Sequence, residues 1–350
     1  MGHIGEAPDA GSRLEILERV SEGIVVLDPT LRLEAANRAA RSMLGFQSDS
    51  LPPRLPSEEV LGLIRRGLEE GDEIEDVITT WFPRRRTLSV RISPLEKGRT
   101  LVILEDVTQQ VMAQRVRKEF VAHASHELKS PVAGLQALAE ALAQAVRDDQ
   151  ESAARFADRM VTESERLGRL VSDLLDLSRL EDLDKVPEDP VDLSAVAQRA
   201  SEEIAAAAAS KKVTLTTEIT DGVWIRGDEQ QIGLMIRNLL DNAIRYSHED
   251  GNVQLHVGTD DGTAVVRVAD DGIGIALEAQ GRVFERFYRV DRARSRDRGG
   301  TGLGLSIVKH VAESHGGNVS VASRLGEGAA FTARLPLLVE SHTGTRSATA

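Results

Sequence analysis

A histidine next to a carboxylate, His126-Glu127, stands shortly before a proline, Pro131, in the stretch VAHASHELKSP. A neutral imidazole keeps one ring nitrogen free for nucleophilic attack, and a carboxylate that holds the opposite N–H fixes the tautomer and takes up the positive charge that develops. Pro131 removes the donor that would bond the Glu127 carbonyl, so the helix is expected to kink or loosen beside the histidine. Ser130 falls one turn beyond His126 on the same helical face. The pattern fits a helix-borne nucleophile, but a surface histidine beside a glutamate, with a serine bonding a local carbonyl, would give the same letters.

Further on, NLLDNAIRYS sets Asn238 and Asn242 four residues apart, on the helix face opposite Leu239, Leu240, Ala243 and Ile244. Two amides on one face either cap something internally or line a polar cleft whose oxygens suit Mg²⁺. VVRVADDGIGI ends a strand-like run in Asp270-Asp271-Gly272-Ile273-Gly274. A carboxylate there can accept from an exocyclic amine, and the glycines let the backbone turn and approach a ligand, although Asp-Asp-Gly is also ordinary turn chemistry. RGGTGLGLSIVKHV places Gly299, Gly300, Gly302 and Gly304 ahead of a helix, whose N-terminal N–H groups bind phosphate oxygens. Neither a Walker loop nor a dinucleotide fingerprint is present, since no G-K-[ST] follows and no strand precedes. Upstream, Arg286, Arg289, Arg292, Arg294, Arg296 and Arg298 form either a basic flap over polyphosphate or a solvated charged face.

These residues need three kinds of scaffold. Residues 13–108 alternate short strands and helices. GIVVLD and LRLEAAN bracket an Asp28-Pro29-Thr30 turn, DEIEDVITTW, RTLSVRISP and TLVILEDVT follow, and LPPRLPSEEV breaks the middle. This predicts a small α+β domain. Residues 109–183 switch to helical periodicity. Val132, Leu135, Leu138, Leu142 and Val146 line one helix, and Phe156, Met160, Leu167, Leu170, Leu174 and Leu177 a second, with RDDQES between them. A hairpin alone leaves an apolar face open, so a second copy closing a four-helix bundle is expected, hence a homodimer. EDLDKVPEDP, Glu181 to Pro190, reads as an acidic linker, residues 191–338 as an α/β sandwich, and residues 339–350 as a flexible tail.

The bulk numbers exclude several functions. A net charge of −13 repels phosphate backbones and anionic membrane surfaces alike and disfavours nucleic acid as a main partner, so phosphate binding must be local. The absence of cysteine excludes disulfides, thiolate metal sites, iron–sulfur clusters and a cysteinyl–flavin photosensor. With no histidine between His3 and His123, a histidine-ligated haem in the first segment is not expected. Aromatics are only 3%, so the cores must be methyl-rich. No run long enough to span a bilayer and no secretory leader is evident.

Together and in this order, the four motif stretches resemble the H, N, G1 and G2 boxes of bacterial sensor histidine kinases of two-component systems. FERFYRVD is similar to their F box and SRLGEGAAFTARLPL to the closing glycine box. The match runs from about Gln109 to Leu338, and residues 13–108 resemble a PAS sensor domain whose LEDVT leads into a signalling helix. The phosphate-sensing, PhoR-like subgroup is similar in domain order and in RVDRARSR. The resemblance implies a multidomain fold: an α+β PAS domain, a dimeric helical hairpin, and an α/β sandwich of the Bergerat (GHKL) type that binds ATP and Mg²⁺. By position it makes His126 the phosphoacceptor, Glu127 its acid–base partner, and Ser130 the hydroxyl that orients water for a phosphatase reaction, where threonine is more usual. Lys129 stands where arginine is also common. Asn242 would hold Mg²⁺ with Asn238 beside it, and Arg245 and Tyr246 would flank the phosphates and base. Asp270 would read the adenine amine, and Gly272 and Gly274 would admit the nucleotide. Arg289 with Gly300, Thr301, Gly302, Leu303 and Gly304 would form the lid. His123 departs from the usual asparagine. The implied partners are a second copy, a response-regulator receiver domain and an unknown signal at the PAS segment. The implied location is the cytoplasm, as a free protein or as the cytoplasmic part of a membrane-anchored kinase. An ATPase or serine kinase of the same nucleotide fold would lack the histidine-bearing hairpin and would yield acid-stable phosphate. A catalytically dead scaffold would not need every polar position filled.

Overall fold

The structure, a computed structural model, describes residues 10–46, 52, 55, 57–70, 73–181, 187–290 and 300–338. The chain divides into two compact units, Met1–Val121 and Ala122–Ala350.

The first unit contains α1 (Ala10–Arg19), β1 (Gly23–Leu27), β2 (Leu33–Ala36), α2 (Arg38–Leu44), α3 (Glu58–Glu70), β3 (Ile74–Thr80), β4 (Arg86–Pro94) and β5 (Thr100–Asp106). The strands form one antiparallel sheet in the order β2-β1-β5-β4-β3. Period-2 alternation sends Val25, Leu27, Leu88, Val90, Val102 and Leu104 into a core closed by Ala40, Leu44 and Ile64 from the helices. The predicted turn at Asp28 forms because its carboxylate accepts the Thr30 and Arg32 amides at 2.7 and 2.9 Å. Part of the expected break at residues 51–60 lies outside the described residues, and its last three begin α3.

Helix α4 (Thr108–Asp148) carries His126 and stays continuous through Pro131. The proline costs one backbone bond without ending the helix, as neighbouring turns hold it. Helix α5 (Gln150–Glu181) follows after a single intervening residue, Asp149, rather than the longer connection that RDDQES suggested. Asp149 explains the economy, because its carboxylate accepts the Ser152 amide and hydroxyl at 2.9 and 2.6 Å and caps α5. The helices run antiparallel: His123 and Asp173, nearly equidistant along the chain from Asp149, meet the adjoining residues Phe287 and Thr301. Of the predicted apolar stripes, Leu170 and Leu177 are buried, Leu135, Leu138, Leu142 and Met160 are partly covered, and Val132 and Val146 are exposed.

The rest is a sandwich of β6 (Pro190–Asp192), α6 (Leu193–Ser210), β7 (Thr214–Ile219), β8 (Trp224–Arg226), α7 (Glu229–Tyr246), β9 (Asn252–Asp260), β10 (Thr263–Asp270), α8 (Leu277–Gln280), α9 (Gly304–Ser314), β11 (Asn318–Arg324) and β12 (Gly328–Pro336). Its main sheet has the order β11-β12-β10-β9-β7. Among the described strands, β7 and β9 alone pair in parallel, as their connection through α7 requires. A two-residue turn with positive φ at Asp261 (45°) and Gly262 (74°) joins β9 to β10, the hairpin chemistry of an Asp-Gly pair. Asp192 and Asp228 cap α6 and α7, each accepting two amides of the first turn. The sequence reading missed β6 and β8, too short to show a period. It also placed Pro190 in the linker, whereas Pro190 opens β6 opposite Arg226. Residues 182–186 of that linker and the tail from 339 lie outside the described residues.

Candidate active site

Helix α7 is built to present one face. Leu239, Leu240 and Ala243 are fully buried against the sheet, which turns Asn238, Asp241, Asn242 and Arg245 outward along a cavity of roughly 420 Å³. Its C-terminus is pinned by Lys211, whose ammonium donates to the carbonyls of Ile244, Arg245 and Ser247 at 2.6–2.9 Å. A cation satisfying the last carbonyls of a helix is favoured by the helix dipole, and here it fixes the turn bearing Arg245 and Tyr246. Arg245 donates to Asp241 at 2.7 Å, and Asn238 bonds back to the Leu234 carbonyl at 2.9 Å.

Asp270 and Asp271 are adjacent but differ in chemistry. Burial pushes the Asp270 carboxyl above the usual carboxylate range, against the amides of Gly272 (3.0 Å) and Ala329, and the Asp271 charge adds to the rise. Burial also acts on Asp271, but the side-chain and backbone donors of Asn252 at 2.9 Å outweigh it and hold that carboxyl low. Asp270 thus lines the cavity, while Asp271 is consumed in holding β9. The next two glycines are required. A Cβ on Gly272 would come within 2.2 Å of the Tyr246 carbonyl, and one on Gly274, at φ 66°, within 1.9 Å of the Arg324 carbonyl. Ile273, Ile275, Val283, Leu325 and Phe331 supply an apolar wall.

The glycine-rich segment also lines the cavity. Gly300, Thr301, Gly302 and Gly304 line it, Leu303 is buried beneath it, and α9 starts at Gly304. Gly304 touches α7 so closely that a Cβ there would stand 2.6 Å from Asn238 Oδ1. Tyr288 and Arg289 complete the rim. The Arg289 Nε and Nη2 atoms are buried and have no hydrogen-bond partner among the described residues. Burial lowers the Arg289 pKa, and Tyr246 and Glu127 counteract it. Two orphaned guanidinium donors in a cavity fit an anionic ligand, and the paired amides of α7 fit a hard divalent cation. Arg292, Arg294, Arg296, Arg298 and Gly299 lie outside the described residues.

The phosphoacceptor candidate sits on α4. The His126 side chain is 80% exposed, with Nδ1 3.8 Å from the less exposed Glu127 Oε1, a separation that a small rotamer change turns into a hydrogen bond. Ser130 is exposed one turn on. The hairpin also reaches the cavity, which the sequence reading missed. Arg169 and Asp173 of α5 line it, and Asp173 accepts the Thr301 hydroxyl at 2.5 Å. Burial raises the Asp173 pKa, against that bond and the Arg245 charge. Asp173 was hidden because its position in α5 reads only as the polar side of an amphipathic helix. His123 packs edge-on against Phe287, with ring centroids 5.6 Å apart, which gives this departure from the usual asparagine a contact.

Comparison with known proteins covers every part of this arrangement. Residues 227–339 match the family described as histidine kinase-, DNA gyrase B- and HSP90-like ATPase, residues 116–183 the His Kinase A (phospho-acceptor) domain, and residues 17–112 the PAS fold. The chain is 39% identical over 281 residues to the sensor-like histidine kinase SenX3 of Mycolicibacterium smegmatis, covering 78% of this chain and 73% of that protein. It is 30% identical over 341 residues to the sensor protein kinase WalK of Staphylococcus aureus, covering 92% and 80%. Its fold is similar to that of the histidine kinase ThkA, solved in complex with the response regulator protein TrrA, with a TM-score of 0.51 at 18% identity over 92% of this chain and 97% of that one. A nucleotide-type cavity, a histidine on the preceding hairpin and these three matches agree: the chain belongs to the sensor histidine kinases of two-component systems.

Proposed function

We propose that the cavity binds ATP with Mg²⁺, that His126 takes the γ-phosphoryl group, and that the group passes to an aspartate of a response-regulator receiver domain. The observation that carries this is that the Arg289 Nε and Nη2 atoms are buried, with no partner among the described residues, on a cavity that Asp270 also lines. Asp270 accepts from the adenine amine, the Ile273–Phe331 wall takes the base, and Gly272 and Gly274 let it approach. Arg245, Tyr246, Arg289 and the Gly300–Gly304 amides face the phosphates. Asn238 and Asn242 offer the oxygen donors for Mg²⁺, which when bound neutralises phosphate charge. The His126 Nε2 lone pair attacks the γ-phosphorus as its bond to the bridging oxygen breaks and ADP departs, and Glu127 accepts the Nδ1 proton. In the second transfer a receiver carboxylate attacks, the P–N bond breaks and the imidazole recovers its proton. Catalysis is chiefly positioning and charge neutralisation.

The apolar residues left exposed on α4 and α5 support a homodimer that closes a four-helix bundle. With γ-labelled ATP and Mg²⁺, the protein should acquire acid-labile, base-stable phosphate, and His126→Gln should acquire none. Acid-stable label, or label persisting in that variant, would refute the assignment. We infer that Ser130, exposed and one turn from His126, orients water for dephosphorylation of the regulator. Ser130→Ala should autophosphorylate normally yet lose most of its phosphatase rate, and unchanged decay of the phospho-regulator would remove that role.

A further inference from the structure

We propose that the loop joining β3 to β4 docks on an anionic lipid surface. The chain has two tryptophans and seven phenylalanines, and one of each stands side by side at this turn, Trp81 and Phe82. They are 68% and 65% exposed. An adjoining pair of large aromatics left in water marks a contact surface more strongly than scattered exposed leucines do. Exposed Arg84 and Arg85 follow after Pro83, and neither makes an ion pair among the described residues. Arg85 lies over the Trp81 ring at 5.0 Å, so the cation and the aromatic present themselves together.

Charge complementarity selects the partner. Although the whole chain carries −13, Arg84 and Arg85 make no ion pair among the described residues at this turn, whereas the neighbouring Arg86 and Arg91 are compensated by Asp106 and Glu75. Screening over about 8 Å at physiological salt means that a surface touching this loop experiences the local charge. The turn belongs to the edge hairpin of the sheet, and Trp81 and Phe82 are largely in solvent there, the Phe82 ring lying beside Gly45. A lipid headgroup region needs no matching shape, and it is where tryptophan, with an apolar body and a polar N–H, and arginine beside anionic lipid are both favoured. The loop connects directly to the start of α4. The next residue, Arg86, is buried and pairs with Asp106 at 3.2 Å, and Asp106 accepts the Thr108 hydroxyl at 2.5 Å. Docking would therefore bear on the first turn of the helix that carries His126.

The two tryptophans allow a direct test. In a full-length Trp224→Phe background Trp81 is the only indole. Its emission should shift to the blue on adding equimolar phosphatidylglycerol–phosphatidylcholine vesicles, but not pure phosphatidylcholine vesicles, and co-sedimentation should fall at 0.5 M salt as expected for screened charges. Arg84→Glu/Arg85→Glu should weaken co-sedimentation at least about tenfold, and Trp81→Ser/Phe82→Ser should abolish it. Both variants should keep wild-type autophosphorylation as proof of folding. Absence of binding to anionic vesicles, equal binding by the folded variants, or no preference for anionic lipid would overturn the proposal. A blue shift that grows with protein concentration without vesicles would replace it with a self-interface, and capture only by an acidic protein would replace it with a protein partner.

Discussion

Where the sandwich seals its interior, with Leu239, Leu240 and Val266 wholly excluded from solvent, the hairpin leaves Val132, Val161 and Leu175 each more than two-fifths exposed. The sandwich closes its core by laying α6, α7 and α9 on one face of a sheet, so each of its apolar stripes meets a partner within the chain. Two antiparallel helices cannot do this, because each buries one stripe and there are only two of them. The functional groups follow the same division. His126 stands in solvent on one helix, where it can face a nucleotide and then a regulator. Asp270, Asn242 and Gly274 are drawn from different elements and depend on the fold of the sandwich. A residue's role and its contribution to stability should therefore separate in the hairpin and coincide in the sandwich.

The strongest way to break that comparison is Gly274→Ala. The substitution combines a left-handed backbone with a Cβ contact at 1.9 Å to a carbonyl, so it should cost at least ~2 kcal/mol and lose nucleotide binding with it. His126→Gln should abolish labelling with an unchanged melting temperature. Calorimetry of the Gly274 variant with ATP, beside thermal melts of both proteins, checks the contrast, and a Gly274 variant of normal stability would contradict it.

A second test concerns the open face of the hairpin. Leu175→Asp should leave secondary structure intact but raise the dimer dissociation constant roughly a hundredfold, about 3 kcal/mol, by placing a charge in an apolar seam. Light scattering across a dilution series reads this directly. A dimer as tight as wild type would mean that Leu175 faces solvent in the assembled protein as well.

The smallest effect sharpens the sandwich side. His315 is buried, its Nδ1 2.8 Å from the Val311 carbonyl and its Nε2 accepting the Asp228 amide at 3.1 Å, so the ring is neutral and staples the C-terminus of α9 to the start of α7. Burial lowers its pKa. The unfolded ring gains a proton as the pH falls through about 6.5 while the folded ring resists, so this stability is complete above that pH and declines on acidification. His315→Gln, which does not titrate, should flatten the fall in melting temperature between pH 7.5 and 5.5, and an identical slope would remove His315 as its source.

What is local could be read from the letters alone. Helical and strand periods marked the hairpin helices and the strands of the first sheet, and the paired amides were legible because residues four apart share a helix face whatever the helix packs against. The adjacency of His126, Glu127 and Ser130 is likewise fixed by chain geometry. What depends on distant segments emerged from packing. It separated Asp270 from Asp271, since the donors that hold Asp271 come from Asn252 on another strand. It brought Asp173 of α5 against Thr301, and Lys211 onto the end of α7. It also left the Arg289 Nε and Nη2 atoms buried without a partner among the described residues. Periodicity says which face of an element is apolar, but burial and charge compensation depend on what lies opposite, and that is set by how the elements pack.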